Sequence, residues 1–463
     1  MLKWFHAFIA VSCSFAGATA SEEHWPRFVL CPQATNTSNV GGISVFAASV
    51  VSEQPQLGRL HRPLSLRVAL LCHDGLWDLS LAELPHGAKH FGHARHVSYA
   101  KCFGAGLPVG TKVFCGVGKV DGTRTSRNAS WTQGRLARFD TGEVRQSFAT
   151  CAIDQLRLIK RWRNRPFSWP ARLRMRLWLH LPGRNQRLLF HLELCRVQQP
   201  VLPISFCSQP LYSFNSMSEE WPYLMEDWLA YHLDYLGFSH GDIYDVDGSF
   251  APAMEPWTQS NSWRKNTVSY FREWPKQLSV QLENISKAHP YCTEMLAYAH
   301  CLTSHAARSR WVALLHAPDE YLIARKTPYV GALPDVMRFL SDDLPKELPF
   351  AFFQVNAVSF ASERKDSKEE MYRQGGGKPG KRGGVLATSR QRMPMGYHHM
   401  PVVDPLNCWA AGAHMCYGEV DNEFRQGLTK EARSGWTYHL NKAAIQNRPP
   451  MHTPLHHSLA MQM

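Results

Sequence analysis

Two acidic segments, each placed at the end of a predicted β-strand, are the residues of this sequence best suited to chemistry. Asp245 and Asp247 come at the end of a strand that begins at residue 242, and Asp319 and Glu320 follow a strand at residues 311–315. In open α/β sheets, ligands bind beyond the carboxyl ends of the strands. A carboxylate pair there can hold Mn²⁺ or Mg²⁺ to neutralise a diphosphate, while a second carboxylate deprotonates an acceptor hydroxyl. Acidic residues at strand ends are also common in turns, so a turn role is an equally good interpretation.

The elements that must position these carboxylates change in type near residue 201. From residue 26 to residue 196 short β-runs are separated by turn residues, and residues 172–194 alternate apolar and polar positions around a turn, which predicts a hairpin. After residue 201, strands alternate with helices, a pattern typical of a parallel sheet. We therefore expect an α/β fold with a mixed, mostly parallel sheet flanked by helices, preceded by a β-rich, sandwich-like N-terminal module.

The N-terminus predicts entry into the secretory pathway. A short positive start, a mostly apolar stretch and Ala18-Thr19-Ala20 indicate a signal peptide at residues 1–20, with a retained signal anchor as the alternative. We expect the β-rich module at residues 21–196, the second domain at residues 197–445 with a glycine-rich loop at 361–384, and a tail at 446–463. Sequons at Asn36, Asn128 and Asn284 would be glycosylated in that pathway.

The cysteine content indicates the compartment of the protein, and the net charge limits the classes of partner. Eleven cysteines follow residue 20, widely spaced and without a CxxC pair, so disulfides are favoured over a zinc site. Because eleven is odd, at least one thiol stays free or pairs between chains. The net charge of +13 admits nucleic acid, an anionic surface or a phosphorylated substrate. The secretory address argues against nucleic acid, and a membrane partner follows only if the N-terminal segment is kept as an anchor.

A basic stretch with tryptophans lies before the hairpin and runs into it. Arginines recur from Arg157 to Arg176, with Trp162 and Trp169 between them. We favour the interpretation that these arginines are the solvated face of edge strands. Tryptophans near arginines are also suited to stacking on sugar rings.

The segments after residue 195 resemble glycosyltransferase family 92, whose members carry a GT-A-type nucleotide-sugar domain. The matching segments are residues 226–245, the pair Trp274-Pro275, a cysteine-containing helix followed by residues 310–313, and residues 319–321. The resemblance is firm from about residue 195 to 323 and loose to about residue 440. It implies an inverting, metal-dependent transferase in the Golgi that moves galactose, or a related sugar, from a UDP-sugar to a glycan acceptor.

The resemblance also implies site residues and exposes one departure. Asp319 and His414 are the expected ligands of Mn²⁺ or Mg²⁺, but Ala317 stands where the family has the first aspartate of its metal motif. Asp245 or Asp247 would then take over the contact to the nucleotide-sugar. No base is marked by a motif; Glu320 and Asp404 are the candidates, and a turn role for Asp404 before Pro405 is at least as good an interpretation. The alternative function is a catalytically inactive protein that binds a glycan or a partner, and a secreted lectin is a third.

Overall fold

The computed structural model describes the chain in segments. They are residues 27–32, 40–52, 64–72, 107–117, 131–140, 145–153, 170–183, 187–220, 223–259, 267–278, 280–288, 293–315, 318, 323–324, 352–356, 360–361, 391–392, 399–412, 415–417 and 445–446.

The N-terminal part of the chain forms a closed, antiparallel, eight-stranded barrel. Its strands are β1 (Phe28–Leu30), β2 (Ile43–Ser52), β3 (Leu64–Cys72), β4 (Lys112–Val117), β5 (Trp131–Asp140), β6 (Arg145–Ile153), β7 (Arg172–His180) and β8 (Arg187–Arg196). The order around the barrel is β1-β2-β3-β6-β5-β4-β7-β8, and β1 closes it by pairing with both β2 and β8. The predicted hairpin is present as β7 and β8, paired from Arg172↔Cys195 to His180↔Arg187.

The expected sandwich-like module is therefore wrong. Phe28 of β1 pairs with Val50 on one side and with Arg196 on the other, so a single sheet closes on itself and no second sheet covers it. Alternating strands present one apolar face in a barrel and in a sandwich alike, so the local pattern cannot separate the two. Disulfide Cys31–Cys195 links the residue after β1 to β8, and Cys115–Cys151 links β4 to β6.

A six-stranded mixed sheet follows the barrel. It contains β9 (Leu202–Leu211), β10 (His240–Asp245), β11 (Val268–Arg272), β12 (Ser309–Leu315), β14 (Phe352–Asn356) and β17 (His399–Val403). The order is β11-β10-β9-β12-β17-β14; the first four strands are parallel, and β17 runs antiparallel to both β12 and β14. Short two-stranded pairs are β13 (Ile323–Ala324) with β20 (Ile445–Gln446), β15 (Phe360–Ala361) with β16 (Gln391–Arg392), and β18 (Ala410–Gly412) with β19 (Met415–Tyr417).

The expected GT-A-like α/β fold is likewise wrong. A closed antiparallel barrel and a small mixed sheet dominate the described chain, and helix makes up only about 24% of it. The helices are α1 (Phe214–Glu220), α2 (Leu224–Leu229), α3 (Ala251–Thr258), α4 (Val280–Ala288) and α5 (Glu294–His305), with a π-helical turn at Ala230–Tyr235. Among the described residues, strands alternate with helices within 202–315, whereas the sequence interpretation extended this alternation to the whole second half. Within the described segments, no helix has both the length and the apolar character needed to cross a membrane.

One outer wall of the barrel packs against the second part of the chain. Phe46, Ala69 and Phe148 share a buried apolar cluster with α5 and with Trp409. Arg67 of β3 lies under this contact: its guanidinium donates to the carbonyl oxygens of Pro405 at 2.6 Å and Leu406 at 2.5 Å. It also stacks over Trp409, 4.4 Å from the ring centroid. A buried cation is tolerated only when it is hydrogen-bonded in this way, so Arg67 fixes how the barrel meets the sheet.

Candidate functional site

The carboxyl ends of the parallel strands form the edge that carries Asp245 and Asp247. Asp245 is the last residue of β10 and pairs with Leu211 of β9 and Arg272 of β11. The backbone N–H of Trp274 donates to the carbonyl oxygen of Asp245 at 2.7 Å, which ties the end of β11 to the end of β10. Three neighbouring strands thus end together, and the loops that follow them define one edge.

Asp245 is a buried carboxylate that shapes the loop after its own strand. It accepts hydrogen bonds from the backbone N–H groups of Gly248 and Phe250, each at 2.9 Å, and from the Tyr270 hydroxyl. Gly248 has φ +75°, a left-handed conformation that favours glycine. Burial raises the pKa of Asp245 to about 6, although the hydrogen bonds from Tyr270 and Phe250 oppose that rise. Three hydrogen bonds leave little of this carboxylate for a ligand.

Asp247 is the exposed carboxylate of the same loop. It accepts hydrogen bonds from the backbone N–H of Ser249 at 3.0 Å and from that of Ser213 at 2.9 Å, so it joins the loop after β10 to the loop after β9. Burial alone would raise its pKa, but the hydrogen bonds from Ser249 and Ser213 outweigh burial and lower it. Asp247 is therefore ionised at neutral pH, and it is exposed to solvent, where a cation or ligand hydroxyls could reach it.

Asp404 lies at the opposite edge of the sheet from Asp245. Because β17 runs antiparallel to β12, with Val403 beside Val312, Asp404 comes level with the amino end of β12. The separation along the strands from the Asp245 edge is roughly 20 Å. Its side chain accepts hydrogen bonds from the backbone N–H of Leu406 at 2.9 Å and from the Asn407 amide at 2.8 Å. Burial raises the pKa of Asp404 to about 6. These two hydrogen bonds are those of a turn residue.

The other predicted site residues lie outside the described part of the chain. Asp319, Glu320 and His414 are among them, and so is Ala317. Pro318 is described and is buried just beyond β12. Of the predicted residues, the structure brings together Asp245 and Asp247 and separates both from Asp404.

Sequence reasoning missed a buried polar cluster beneath the sheet. Asp242 of β10 lies between two histidines, with His305 Nε2 at 3.3 Å from one carboxylate oxygen and His240 Nε2 at 3.2 Å from the other. Burial would raise the pKa of Asp242, but the two histidines outweigh it and hold that pKa well below its usual range. The i, i+4 spacing of Cys301 and His305 on a predicted helix was the available signal for this cluster.

The buried cluster has the residue types of a metal site but not the free ligands. The candidate ligand atoms of Cys207, Asp242, Cys301 and His305 lie within 4.8 Å of one another. Cys207 and Cys301 are joined in a disulfide, however, so the thiolates that a metal would need are not available. His305 Nδ1 lies 2.8 Å from the Ser309 hydroxyl, which in turn lies 2.8 Å from that of Ser205. Asp242, His305 and Ser309 therefore form a line of polar contacts of the acid–histidine–serine type. All three are buried, so a substrate cannot reach them.

A second histidine on α5 completes an aromatic cluster below the carboxyl edge. The Tyr244 hydroxyl lies 2.8 Å from His300 Nδ1, and Phe271 and Trp274 pack against both rings. Burial lowers the pKa of His300 to about 4, so the ring is neutral at physiological pH. This cluster supports the ends of β10 and β11, and with them the loop that carries Asp247.

The chain was compared with protein-family models, with curated proteins and with solved structures, and none of these comparisons found a match.

Proposed function

We propose that the protein is a hexosyltransferase of the secretory pathway that transfers galactose from UDP-galactose, with inversion, to a glycan acceptor. The observation that carries this proposal is Asp247, an exposed and ionised carboxylate at the carboxyl edge of adjacent parallel strands. Ligands of open sheets bind at such edges. The motifs that resemble glycosyltransferase family 92 supply the reaction class, and the edge supplies a place for the donor.

Asp245 and Asp247 differ in how well each could bind a hard divalent cation. Asp247 is exposed and its pKa is lowered, whereas Asp245 is buried and its pKa is raised to about 6, so Asp247 is the better ligand for Mn²⁺ or Mg²⁺. When bound, the ion would supply charge neutralisation of the donor diphosphate. Asp319 and His414 remain the proposed ligands from the sequence, and Glu320 the proposed base. Asp404, at the opposite edge, is the weaker candidate base because its side chain caps a turn.

The first test is calorimetric titration of the whole protein with UDP, with and without Mn²⁺. We expect binding that requires Mn²⁺ and that Asp247→Asn weakens by at least about tenfold. Glu255→Gln is the matched control, because Glu255 is an exposed acid on α3 that accepts a hydrogen bond from the Gln259 side chain and, among the described residues, is bonded to neither Asp245 nor Asp247. Equal UDP affinity in the Asp247→Asn variant and the wild type would remove Asp247 from the donor site. Thermal melting of both variants checks that each remains folded.

A specific observation favours a second function, that of a glycan- or partner-binding protein without transferase chemistry. Ala317 replaces the first acid of the expected metal motif, and the oxygens of Asp245 and Asp247 already accept hydrogen bonds from the protein itself. Slow hydrolysis of UDP-galactose without acceptor separates the two functions. A transferase shows such hydrolysis, and it is lost in the Asp247→Asn variant. A binding protein shows none in either form, although glycan binding persists when metal is chelated.

The secretory address is part of the same proposal. Four disulfides among the described residues are consistent with an oxidising compartment, in which nucleic acid is not the expected partner. We propose the Golgi lumen or membrane, with secretion as the alternative, and contact with the membrane only if residues 1–20 are retained.

A further inference from the structure

The barrel wall formed by β4, β5, β7 and β8 carries a set of outward basic and aromatic side chains. We call this set the basic face. Its members are Lys112, Phe114, Trp131, Arg174, Arg176, Trp178, His180, Arg187 and His191. The inward residues of β7 and β8 fill the barrel, so strict alternation forces these side chains outward.

The aromatic members of the basic face form a cluster built on a stacked pair of indoles. Trp131 and Trp178 stack with ring centroids 5.0 Å apart and an interplanar angle of 21°. Gly116 lies beneath Trp131: a Cβ atom there would come within 3.2 Å of the ring, so glycine lets the indole lie flat on the strand. Phe114 meets Trp178 edge-on, with centroids 6.5 Å apart. The guanidinium carbon of Arg187 lies 4.5 Å from the Trp178 ring centroid, so positive charge lies against the stacked indoles.

The charge of the basic face is not balanced within it. Its acidic neighbour is Glu193, which pairs across the strands with Arg174 but binds the guanidinium of Arg172 at 3.0 Å. Among the described residues, neither Arg174 nor Arg176 has an ion-pair partner. Arg174 and Arg176 lie two residues apart on the outward face of β7, so their positive charges are neighbours on one strand. A partner that brings negative charge would pair with them.

Closure of the barrel excludes the interpretation that these arginines lie on edge strands. Charged side chains are common on edge strands because they prevent strand addition by another chain. In this barrel β7 pairs with β4 and β8, and β8 pairs with β7 and β1, so neither strand is an edge. The arginines of β7 therefore do not protect an edge.

We propose that the basic face binds a sulfated or otherwise acidic polysaccharide. Guanidinium groups pair with sulfate or carboxylate oxygens, and indole faces pack against sugar rings. Single-stranded nucleic acid uses the same two kinds of contact. The disulfides Cys31–Cys195 and Cys115–Cys151 lie in this same barrel and favour an oxidising compartment, so the polysaccharide is the better fit. The proposal does not depend on transferase activity, because the basic face and the Asp247 edge belong to different parts of the fold.

The test measures heparin binding by the whole protein through quenching of tryptophan fluorescence at several salt concentrations. We expect the double variant Arg174→Gln/Arg176→Gln to bind at least about tenfold more weakly, with the slope of log affinity against log salt reduced by about two. Lys276→Gln/Lys287→Gln is the matched control, because it removes the same net charge from the exposed surface of the second part of the chain. The control should change affinity less than about twofold.

Trp178→Ala separates stacking from charge. It should weaken heparin binding several-fold while leaving the salt slope unchanged, because it removes a ring and no charge. Absence of heparin binding by the wild type overturns the proposal, as does an equal loss in the lysine control. Tighter binding of a single-stranded RNA than of heparin would reassign the face to nucleic acid. Mn²⁺-dependent UDP binding should survive in Arg174→Gln/Arg176→Gln, so failure of this proposal and failure of the proposed function are distinguishable.

Discussion

The barrel and the six-stranded sheet solve the problem of burial in different ways. The barrel interior is filled by apolar side chains from strands that pair largely with near neighbours in sequence. In the sheet, β9 pairs with β10 on one side and with β12, about a hundred residues later, on the other. The sheet also encloses the ionisable side chains of Asp242, His305 and Asp404.

This difference indicates which region is scaffold and which holds reactive groups. Burial of a charge is costly unless neighbours compensate for it, and each buried acid of the sheet has histidine or hydrogen-bond partners. The barrel contributes an outer surface instead. One wall is apolar and packs on α5, and the opposite wall is the basic face.

The largest expected effect comes from adding one methyl group to the barrel and, in a second variant, to the six-stranded sheet. Gly134→Ala in the barrel would set its Cβ 2.4 Å from the carbonyl oxygen of Thr150 and 2.3 Å from the sulfur of Cys151. Gly241→Ala in the sheet would meet the ring of Phe206, a side chain, at 2.3 Å. Backbone and a disulfide cannot move aside as a ring can. We expect urea denaturation to show a loss of about 4 kcal/mol for Gly134→Ala and about 2 kcal/mol for Gly241→Ala. The reverse ranking would mean that the barrel is the more adaptable region.

Sequence reasoning recovered what is local and missed what depends on distant pairing. The hairpin of β7 and β8 was predictable because a period of two over both arms leaves one register that buries the apolar face. Closure of the barrel rests on pairing between β1 and β8, about 165 residues apart, and no local pattern encodes it. This is why a sandwich-like module was expected and a barrel is found.

The candidate site shows the same difference between features with a local sequence pattern and features that depend on distant strand pairing. Asp245 and Asp247 lie at a strand end, as the sequence predicted. Because β9, β10 and β11 are parallel, their carboxyl ends lie at the same edge of the sheet. Asp404 also follows a strand, but β17 enters the sheet antiparallel to β12, and the direction of a strand leaves no local signature. The buried cluster of Asp242 and His305 was missed because α5 is buried on nearly all sides and shows no polar face that would mark His305.

The junction between the two regions gives the next largest expected effect. Arg67→Met keeps an unbranched apolar stem but leaves the carbonyl oxygens of Pro405 and Leu406 without their charged donor. Buried acceptors that lose such hydrogen bonds destabilise the fold, here by about 3 kcal/mol in urea denaturation. Arg174→Gln is the control on the opposite wall, and it should change the free energy of unfolding by less than about 0.5 kcal/mol. Equal effects would show that the contact between barrel and sheet contributes little to stability.

The smallest expected effect is a pH dependence carried by Asp404. Its folded-state pKa is raised to about 6 from the usual 3.8, so the unfolded chain releases this proton first as pH rises. The stability that the protonated carboxyl contributes is present below pH 3.8 and is lost as pH rises toward 6. The wild type should therefore lose about 2 kcal/mol relative to Asp404→Asn between pH 4 and pH 6. Urea denaturation of both proteins at the two pH values measures this difference, with Glu255→Gln as an exposed control that should follow the wild type. A difference between wild type and Asp404→Asn that stays constant with pH would mean that Asp404 is not buried as a turn residue. It would then return as a candidate for chemistry in the sheet.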